Sequence, residues 1–174
     1  MTIIFYAHRA TDALAEDAPI PAGYTVSDWR PRRDGPPPAD ISSHSNTIWR
    51  IFDRLGIFAN PHCGVLIIRD ADGVAHTSLV TPGWFRFPMM ATRDIQIGST
   101  WTAGAKRGQG LARVAIAEIE RRWSGQFARS WYIVESGNLA SIRVIERMGY
   151  TLIGEGRRTR PFGISPLGRF VFRH

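Results

Sequence analysis

The stretch from Asp94 to Trp123 constrains the fold of this 174-residue chain more than any other. Its first part, Asp94–Thr102, carries β-branched and aromatic residues that suit a half-buried strand. A glycine-bearing turn follows, and from Leu111 the apolar residues recur at the three- and four-residue spacing of an amphipathic helix. The stretch therefore predicts a strand, a tight turn and a helix in direct succession.

The turn itself is a candidate anion site. A helix entered from a turn leaves its first backbone N–H groups unpaired, and these donors attract phosphate together with the positive end of the helix dipole. Gly108 and Gly110 have no side chain, so a bulky anion can approach the backbone closely. The alternative is a glycine turn that only joins the strand to the helix.

The segment Arg107–Ala112, RGQGLA, resembles the R/Q-x-x-G-x-G/A signature of the GCN5-related N-acetyltransferase (GNAT) superfamily. Downstream, Asn138–Ser141 followed by Gly149 and Tyr150 resembles the N-x-x-S…G-F/Y segment of the same family. The resemblance implies an α/β (α+β) acyl-CoA N-acyltransferase fold, with a mixed, mostly antiparallel sheet of about six to seven strands flanked by helices.

The resemblance also implies that acetyl-CoA is the co-substrate and that no metal takes part. In the family the glycine turn holds the pyrophosphate, which assigns to cofactor binding Arg107, Gly108, Gln109, Gly110, Leu111 and Ala112. Backbone amides at about Trp101 and Thr102 would polarise the acetyl carbonyl. Asn138 and Ser141 would contact the pantetheine arm, and Asn138 also suits a helix N-cap.

Acetyl transfer to an amine also needs a group that takes the proton of the amine. Asp94 is the first candidate, because it begins the strand near where some family members place a glutamate that acts through water. A solvated strand-end aspartate is the alternative, and the rival bases are His44, His62 and His76.

The departing thiolate needs a proton too. Many family members supply it from a tyrosine on the last helix, and the position that matches this tyrosine here is Ile145. Ser141 or water is left to serve as the acid. Cys63 could form an acyl-enzyme in principle, but no supported histidine lies beside it in the sequence.

The remaining elements follow from local patterns. Asp72-Gly73 indicates a hairpin between two strands, Cys63–Arg69 and Val74–Thr81. The connection Pro31–Asp40 is rich in proline and glycine and is predicted to lack regular structure. The helix that Asn138 caps is predicted to turn three residues inward, Leu139, Ile142 and Ile145.

Two apolar segments are candidates for the acceptor pocket. One is a helix whose predicted inner face carries Ile48, Trp49, Phe52 and Leu55. The other, Pro82–Thr92, is either a pocket wall or plain core over the sheet, through Trp84, Phe85, Phe87, Met89 and Met90. Apolar walls and few carboxylates favour an amino sugar, an amino acid or an antibiotic over a polyamine.

The net charge of +7 and the pI near 10.7 fit an anionic cofactor, and they also fit a codon bias without functional meaning. Lys106 is the single lysine and the arginines are scattered, so the pattern does not favour a nucleic-acid partner. One cysteine excludes an internal disulfide, and no apolar run or leader pattern indicates a membrane or a secretory route. We expect one cytoplasmic domain, residues 1–174, for which a homodimer is compatible with the sequence.

The expected activity is therefore N-acetyl transfer from acetyl-CoA to the primary amine of a small molecule by direct attack. Two alternatives stay open at this point. One is a catalytically silent CoA-binding module, favoured by Ile145, and the other is an acetyltransferase that acts on a protein N-terminus.

Overall fold

A computed structural model of the chain describes residues 2–41, 44–159 and 168–173, except for the side chains of residues 44–47. His44, one of the three rival bases, therefore has its side chain outside the described residues. The strands in these ranges are β1 (Ile3–Arg9), β2 (Thr25–Trp29), β3 (Gly64–Asp70), β4 (Gly73–Pro82), β5 (Asp94–Thr102), β6 (Arg129–Glu135), β7 (Thr151–Arg158) and β8 (Phe170–Phe172).

These strands form one sheet in the spatial order β2-β3-β4-β5-β6-β1-β7-β8. Every neighbouring pair is antiparallel except β5 and β6, which run parallel. The predicted mixed and mostly antiparallel sheet is confirmed. Its described part has eight strands instead of six or seven, because the three-residue β8 adds a short edge.

Helices cover both faces of the sheet. They are α1 (Pro31–Asp34), α2 (His44–Arg54), α3 (Leu111–Arg122) and α4 (Leu139–Arg147). Helices α3 and α4 share one core with the inward residues of β3 to β6, and α2 lies on the opposite face with the segment 83–93. Within the described ranges, none of the helices has the length and apolarity needed to span a membrane.

The prediction that Pro31–Asp40 lacks regular structure is wrong. The chain makes a helical turn at Pro31–Asp34 and a 3-10 turn at Ala39–Ile41. Proline is compatible with the first position of a helix, where its missing N–H has no partner to lose. The Asp34 carboxylate then accepts a hydrogen bond from the backbone N–H of Arg30 (2.8 Å), which closes the turn.

The predicted inner faces of two helices are only partly correct. Trp49 and Phe52 of α2 pack into the aromatic core, but Ile48 and Leu55 are 44% and 69% exposed. The buried face of this helix is therefore narrow: Trp49 and Phe52 pack against the core, and the neighbouring Ile48 and Leu55 face solvent. Leu139 is 58% exposed because it begins α4, before the helix meets the core.

The parallel pair β5–β6 is short, and the two strands then separate. Asp94–Ile97 pair with Arg129–Tyr132, and the ladder recorded for the described residues ends there. Three residues of β6 and five of β5 continue beyond this point without facing each other. The sheet is therefore split along its middle at the carboxyl ends of these two strands.

A β-bulge lies in β5 at the start of the split. Across β4, Gly98 pairs with Leu79 and Trp101 with Thr77, so two residues of β5 face the single Ser78. Ser99, one of the two, has a φ of 45°. A positive φ is uncommon for a residue with a side chain and costs on the order of 1 kcal/mol, so the surrounding packing must hold it.

The Asp94 side chain connects the beginning of β5 to its neighbours by hydrogen bonds. Its side chain is buried, and its Oδ2 accepts hydrogen bonds from the indole Nε1 of Trp131 (2.8 Å) and from the backbone N–H of Ala91 (3.0 Å). The carboxylate thereby joins β5, β6 and the segment 83–93 at the end of the sheet opposite the split.

We expect Asp94→Ala to lower the free energy of unfolding by about 2–3 kcal/mol, because it leaves two buried N–H donors without an acceptor. Asp94→Asn should lose less than about 1 kcal/mol, since one amide oxygen can accept both bonds. Urea unfolding followed by tryptophan fluorescence measures both. Equal losses in the two variants would mean that the hydrogen bonds of Asp94 do not stabilise the fold.

Candidate active site

Two cavities flank the split. The larger, which we name the turn pocket, has a volume of about 720 Å³ and lies on the α3–α4 face. The smaller, which we name the aromatic cavity, has a volume of about 220 Å³ and lies on the α2 face.

The turn before α3 forms the floor of the turn pocket. Gly108 and Gly110 both adopt a positive φ, 77° and 78°. A Cβ added at Gly108 would meet no atom within 4 Å, so this side of the turn is open. Gly110 is the N-cap of α3 and provides no side-chain cap. The Arg113 N–H donates to the Gly110 carbonyl (2.9 Å), and the first-turn amides before it are left to a ligand. The turn fits a phosphate group.

The charges around the turn pocket fit the same ligand. Lys106 is ion-paired to Asp70 (2.6 Å) and Asp72 (2.8 Å), and its hydrogen bonds to these carboxylates hold its pKa above the usual range. Arg113 is paired to Glu16 (2.7 Å). Three other lining arginines have no carboxylate partner among the described residues: Arg107, Arg143 and Arg147. The pocket is therefore strongly positive.

Nine of the ten residues that the sequence assigned to cofactor binding line the turn pocket: Trp101, Thr102, Arg107, Gly108, Gly110, Leu111, Ala112, Asn138 and Ser141. Gln109 does not, because its side chain turns away and its Oε1 accepts a hydrogen bond from the Tyr24 hydroxyl (2.6 Å). The Asn138 side chain accepts a hydrogen bond from the backbone N–H of Ser141 (3.2 Å), as an N-cap does.

Sequence reasoning missed several lining residues. Arg143 and Arg147 are four positions apart on α4, a spacing that places both on one helix face and that could have indicated them. No local pattern indicated Thr100 or Tyr132. Thr100 lines the pocket because the bulge displaces it, and Tyr132 lines it because the β5–β6 ladder ends there.

Successive N–H groups along β5 point alternately toward β4 and toward the split. Ala103 donates its N–H to the carbonyl of Ala75 across β4 (2.9 Å), so alternate residues of β5 point their N–H groups toward β4. Trp101 is one of these, and its assignment as an amide donor is corrected. Thr102 and Thr100 point the other way, toward the space that β6 has left. Consistent with this, the Thr102 carbonyl accepts a hydrogen bond from Arg107 Nε (3.4 Å).

Four aromatic rings lie in the wall of the aromatic cavity. Its rings are Trp49, Trp84, Phe87 and Phe170, and its strand residues include Thr81, Gln96, Gly98 and Ser99. Phe87 and Phe170 stack with their ring centroids 5.4 Å apart, and the guanidinium of Arg86 lies over Trp84 at 4.9 Å. No Asp, Glu or His is among the described residues that line it.

The segment Pro82–Thr92 contributes both to the core over the sheet and to the lining of the aromatic cavity. Trp84 and Phe87 are buried in a core cluster and also line the aromatic cavity. Phe85 is 43% exposed and lines neither cavity. Trp49 of α2 lines the cavity too.

The two cavities approach each other through the split. Ser99 lines the aromatic cavity, and the next residue, Thr100, lines the turn pocket. On β6, Ile133 lines the aromatic cavity and the preceding Tyr132 lines the turn pocket. Adjacent residues of both strands thus face opposite cavities where the ladder has ended.

Three of the four candidate bases, Asp94, His62 and His76, line neither cavity. Asp94 lines neither cavity and is engaged by Trp131 and Ala91 at the far end of β5, which favours a structural role. His76 is fully buried, and burial lowers its pKa to about 4. His62 also lines neither cavity. Its pKa is lowered mainly by burial and, to a smaller extent, by the positive charges of nearby arginines.

Ser141 lines the turn pocket, where its hydroxyl can meet a ligand. Ile145 is fully buried in the core. Burial raises the pKa of the Cys63 thiol, so this cysteine is not a thiolate nucleophile. Across the described residues, no group of three or more His, Cys, Asp and Glu side chains could hold a metal ion.

Solved structures share this fold. A GCN5-related N-acetyltransferase from Kribbella flavida superposes with a TM-score of 0.55 at 18% identity, over 87% of this chain and 55% of that one. A GNAT-family protein from Novosphingobium aromaticivorans gives 0.52 at 12% identity, over 89% and 62%. The protein yncA from Salmonella typhimurium, solved with acetyl-CoA, gives 0.50 at 18% identity, over 74% and 80%.

This chain therefore spans 55% and 62% of the length of the Kribbella and Novosphingobium proteins. A search among curated proteins found no match. The model of the acetyltransferase (GNAT) family matches residues 26–150, a range that includes α3, α4 and the split between β5 and β6. The chain belongs to the acetyltransferase (GNAT) family, an acyltransferase family, as its glycine turn predicts.

Proposed function

We propose that the chain transfers an acetyl group from acetyl-CoA to the primary amine of a small molecule by direct attack. The observation that supports this most is the meeting of the two cavities at the split between β5 and β6. A donor in the turn pocket and an acceptor in the aromatic cavity would approach each other through the sheet.

The residues of the turn pocket fit acetyl-CoA, which supplies the acetyl group as a thioester. The first-turn amides of α3 and the open side of Gly108 would hold its pyrophosphate. Arg107, Arg143 and Arg147 would neutralise its phosphates, and Ser141 would lie beside its pantetheine arm. The yncA structure, in which acetyl-CoA is bound, shows that a protein of similar fold accepts this cofactor.

The backbone of β5 would stabilise the charge that develops on the acetyl oxygen. The outward amides of Thr100 and Thr102 face the split and have no strand opposite them. Amide donors held by the fold before the reaction begins lower the barrier by a few kcal/mol, since they need no reorganisation. The Ser141 hydroxyl, which lines the turn pocket, is our candidate for protonating the thiolate.

The aromatic cavity favours a compact acceptor with a flat or apolar body. Its four rings offer stacking surface, and its volume of about 220 Å³ suits a small molecule better than a folded chain end. Arg86 is a cation in its wall, which disfavours polyamines. An amino sugar, an amino acid or an antibiotic of this size fits these properties.

The aromatic cavity lacks a base in its described lining, so we infer that the amine reacts after losing its proton to water. An ammonium entering the cavity would meet no carboxylate among the described residues that line it. The acceptor is therefore used as its neutral form, and its own pKa governs how much of it can react.

Release of free thiol from acetyl-CoA, measured with a panel of amines, tests the function. We expect release with compact amines that carry a ring or an apolar group, and none with spermidine or without acceptor. Binding of CoA by calorimetry without turnover on any amine would identify a silent module. Turnover only on a peptide N-terminus would identify the protein substrate instead.

A matched pair of variants connects turnover to the aromatic cavity. Trp84→Leu removes a lining ring and should raise the KM of the acceptor by about two- to tenfold, the equivalent of losing an aromatic stacking contact. Phe85→Leu removes the adjacent, exposed ring and should leave the KM unchanged. Equal effects would place the acceptor elsewhere.

Gly110→Glu should abolish CoA binding, because its carboxylate would lie against the phosphates. Gly110→Gln is the control, because Gln has nearly the same size as Glu but no charge. Both variants are strained by the φ of 78°, and in both the added Cβ lies 3.0 Å from the Arg113 guanidinium. We expect calorimetry to show at least a tenfold weaker affinity for Glu than for Gln, with the difference shrinking as salt is added. Equal affinities would mean that no phosphate binds at this turn.

The pH dependence separates a neutral acceptor from an enzymatic base. At saturating acetyl-CoA, kcat/KM for the acceptor should rise tenfold per pH unit below the pKa of the amine and level off above it. Replacing an alkylamine of pKa near 10 by an α-amino group near 8 should move the break down by about two units. A break that stays at one pH for both amines would show that a group on the enzyme takes the proton.

A further inference from the structure

The geometry points to His76 as a positioning residue that holds the bulge of β5, and with it the amides of Thr100 and Thr102, in the arrangement that acetyl transfer needs. This inference rests on the proposed function, because that function assigns these amides to the acetyl oxygen. The side chain of His76 lines neither cavity, so it would act through its neighbours.

His76 lies on β4 opposite Thr102, and both of its ring nitrogens contact hydroxyl groups. Its Nδ1 is 2.8 Å from Thr102 Oγ1, and its Nε2 is 2.9 Å from Ser78 Oγ. Ser78 in turn donates to Thr100 Oγ1 at 3.4 Å. One imidazole thereby contacts β5 directly at Thr102 and, through Ser78, at Thr100.

These contacts bracket the bulge. Ser78 is the residue of β4 that faces the two bulged residues, Ser99 and Thr100, where the backbone ladder is interrupted. The side-chain bonds replace part of the missing ladder. They also oppose relaxation of Ser99 from its φ of 45°, which would turn the neighbouring amide.

The environment of His76 keeps the ring in its neutral form. The side chain is fully buried and desolvation lowers its pKa to about 4, so the ring is uncharged at neutral pH. A neutral imidazole has one N–H donor and one acceptor nitrogen, which matches a hydroxyl on either side. A hydrocarbon side chain of similar size would fill the space but hold neither hydroxyl.

The first test measures backbone amide exchange in the ligand-free protein. We expect His76→Phe to raise exchange at residues 98–102 about tenfold, because the bulge loses its lateral bonds. His76→Gln, which has one donor and one acceptor, should restore most of the protection. Tyr150→Phe is the matched control: it removes a buried hydroxyl that bonds to Ser130 and Glu120 and not to the bulge, and it should leave exchange at residues 98–102 unchanged.

The second test separates positioning from binding. In His76→Phe, kcat should fall by about a hundredfold, the cost of a 1 Å misplacement, while the KM for acetyl-CoA and the affinity for CoA change less than about threefold. The pH profile of His76→Gln should keep the shape of the parent profile. If the rise of activity with pH seen in the parent protein is absent from His76→Gln, His76 acts as a base and the inference is overturned.

If His76→Phe does not fold, Ser78→Ala removes the connection from His76 Nε2 to Thr100 and leaves the contact between His76 Nδ1 and Thr102, so exchange should rise mainly at residues 98–100. Unchanged exchange in this variant would overturn the inference and leave the proposed function standing. Absence of CoA binding in the parent protein would remove the proposed function while the exchange results still report on the bulge.

Discussion

The parallel ladder between β5 and β6 is the constraint on which the rest of the structure depends. It joins only Asp94–Ile97 to Arg129–Tyr132 and then ends. Because α3 and α4 cover one face and α2 the other, the sheet has helices on both faces around the point where the two strands separate. One cavity lies on each face of this split, and adjacent residues of β5 and β6 line the two cavities.

The bulge of β5 borders two cavities whose linings differ chemically. It places Ser99 toward the aromatic cavity and Thr100 toward the turn pocket, so one short segment borders both. The side that carries the glycine turn holds three arginines without carboxylate partners in the described part of the chain, and the other side holds four rings. The charged lining and the aromatic lining therefore lie on opposite faces of the sheet.

Much of this site could be read from local patterns. The predicted bounds of β5 agree with the structure at both ends, and α3 begins at the predicted Leu111, because hydrophobic periodicity and the two glycines act within a few residues. The N-cap role of Asn138 is local in the same sense. Asp94 could not be interpreted in this way, since its partner Trp131 is 37 positions away and only the parallel pairing brings them together.

By itself, the amino-acid sequence determined the turn that suits a phosphate, the elements on either side of it and the family to which the chain belongs. Each depends on contacts between near neighbours in the chain. The tertiary structure alone decided that Trp101 points its amide into the sheet, that His76 is buried beneath the bulge and that Arg143 and Arg147 join the turn pocket. These outcomes depend on strand register and on where two strands part, and register is set by packing over the whole sheet.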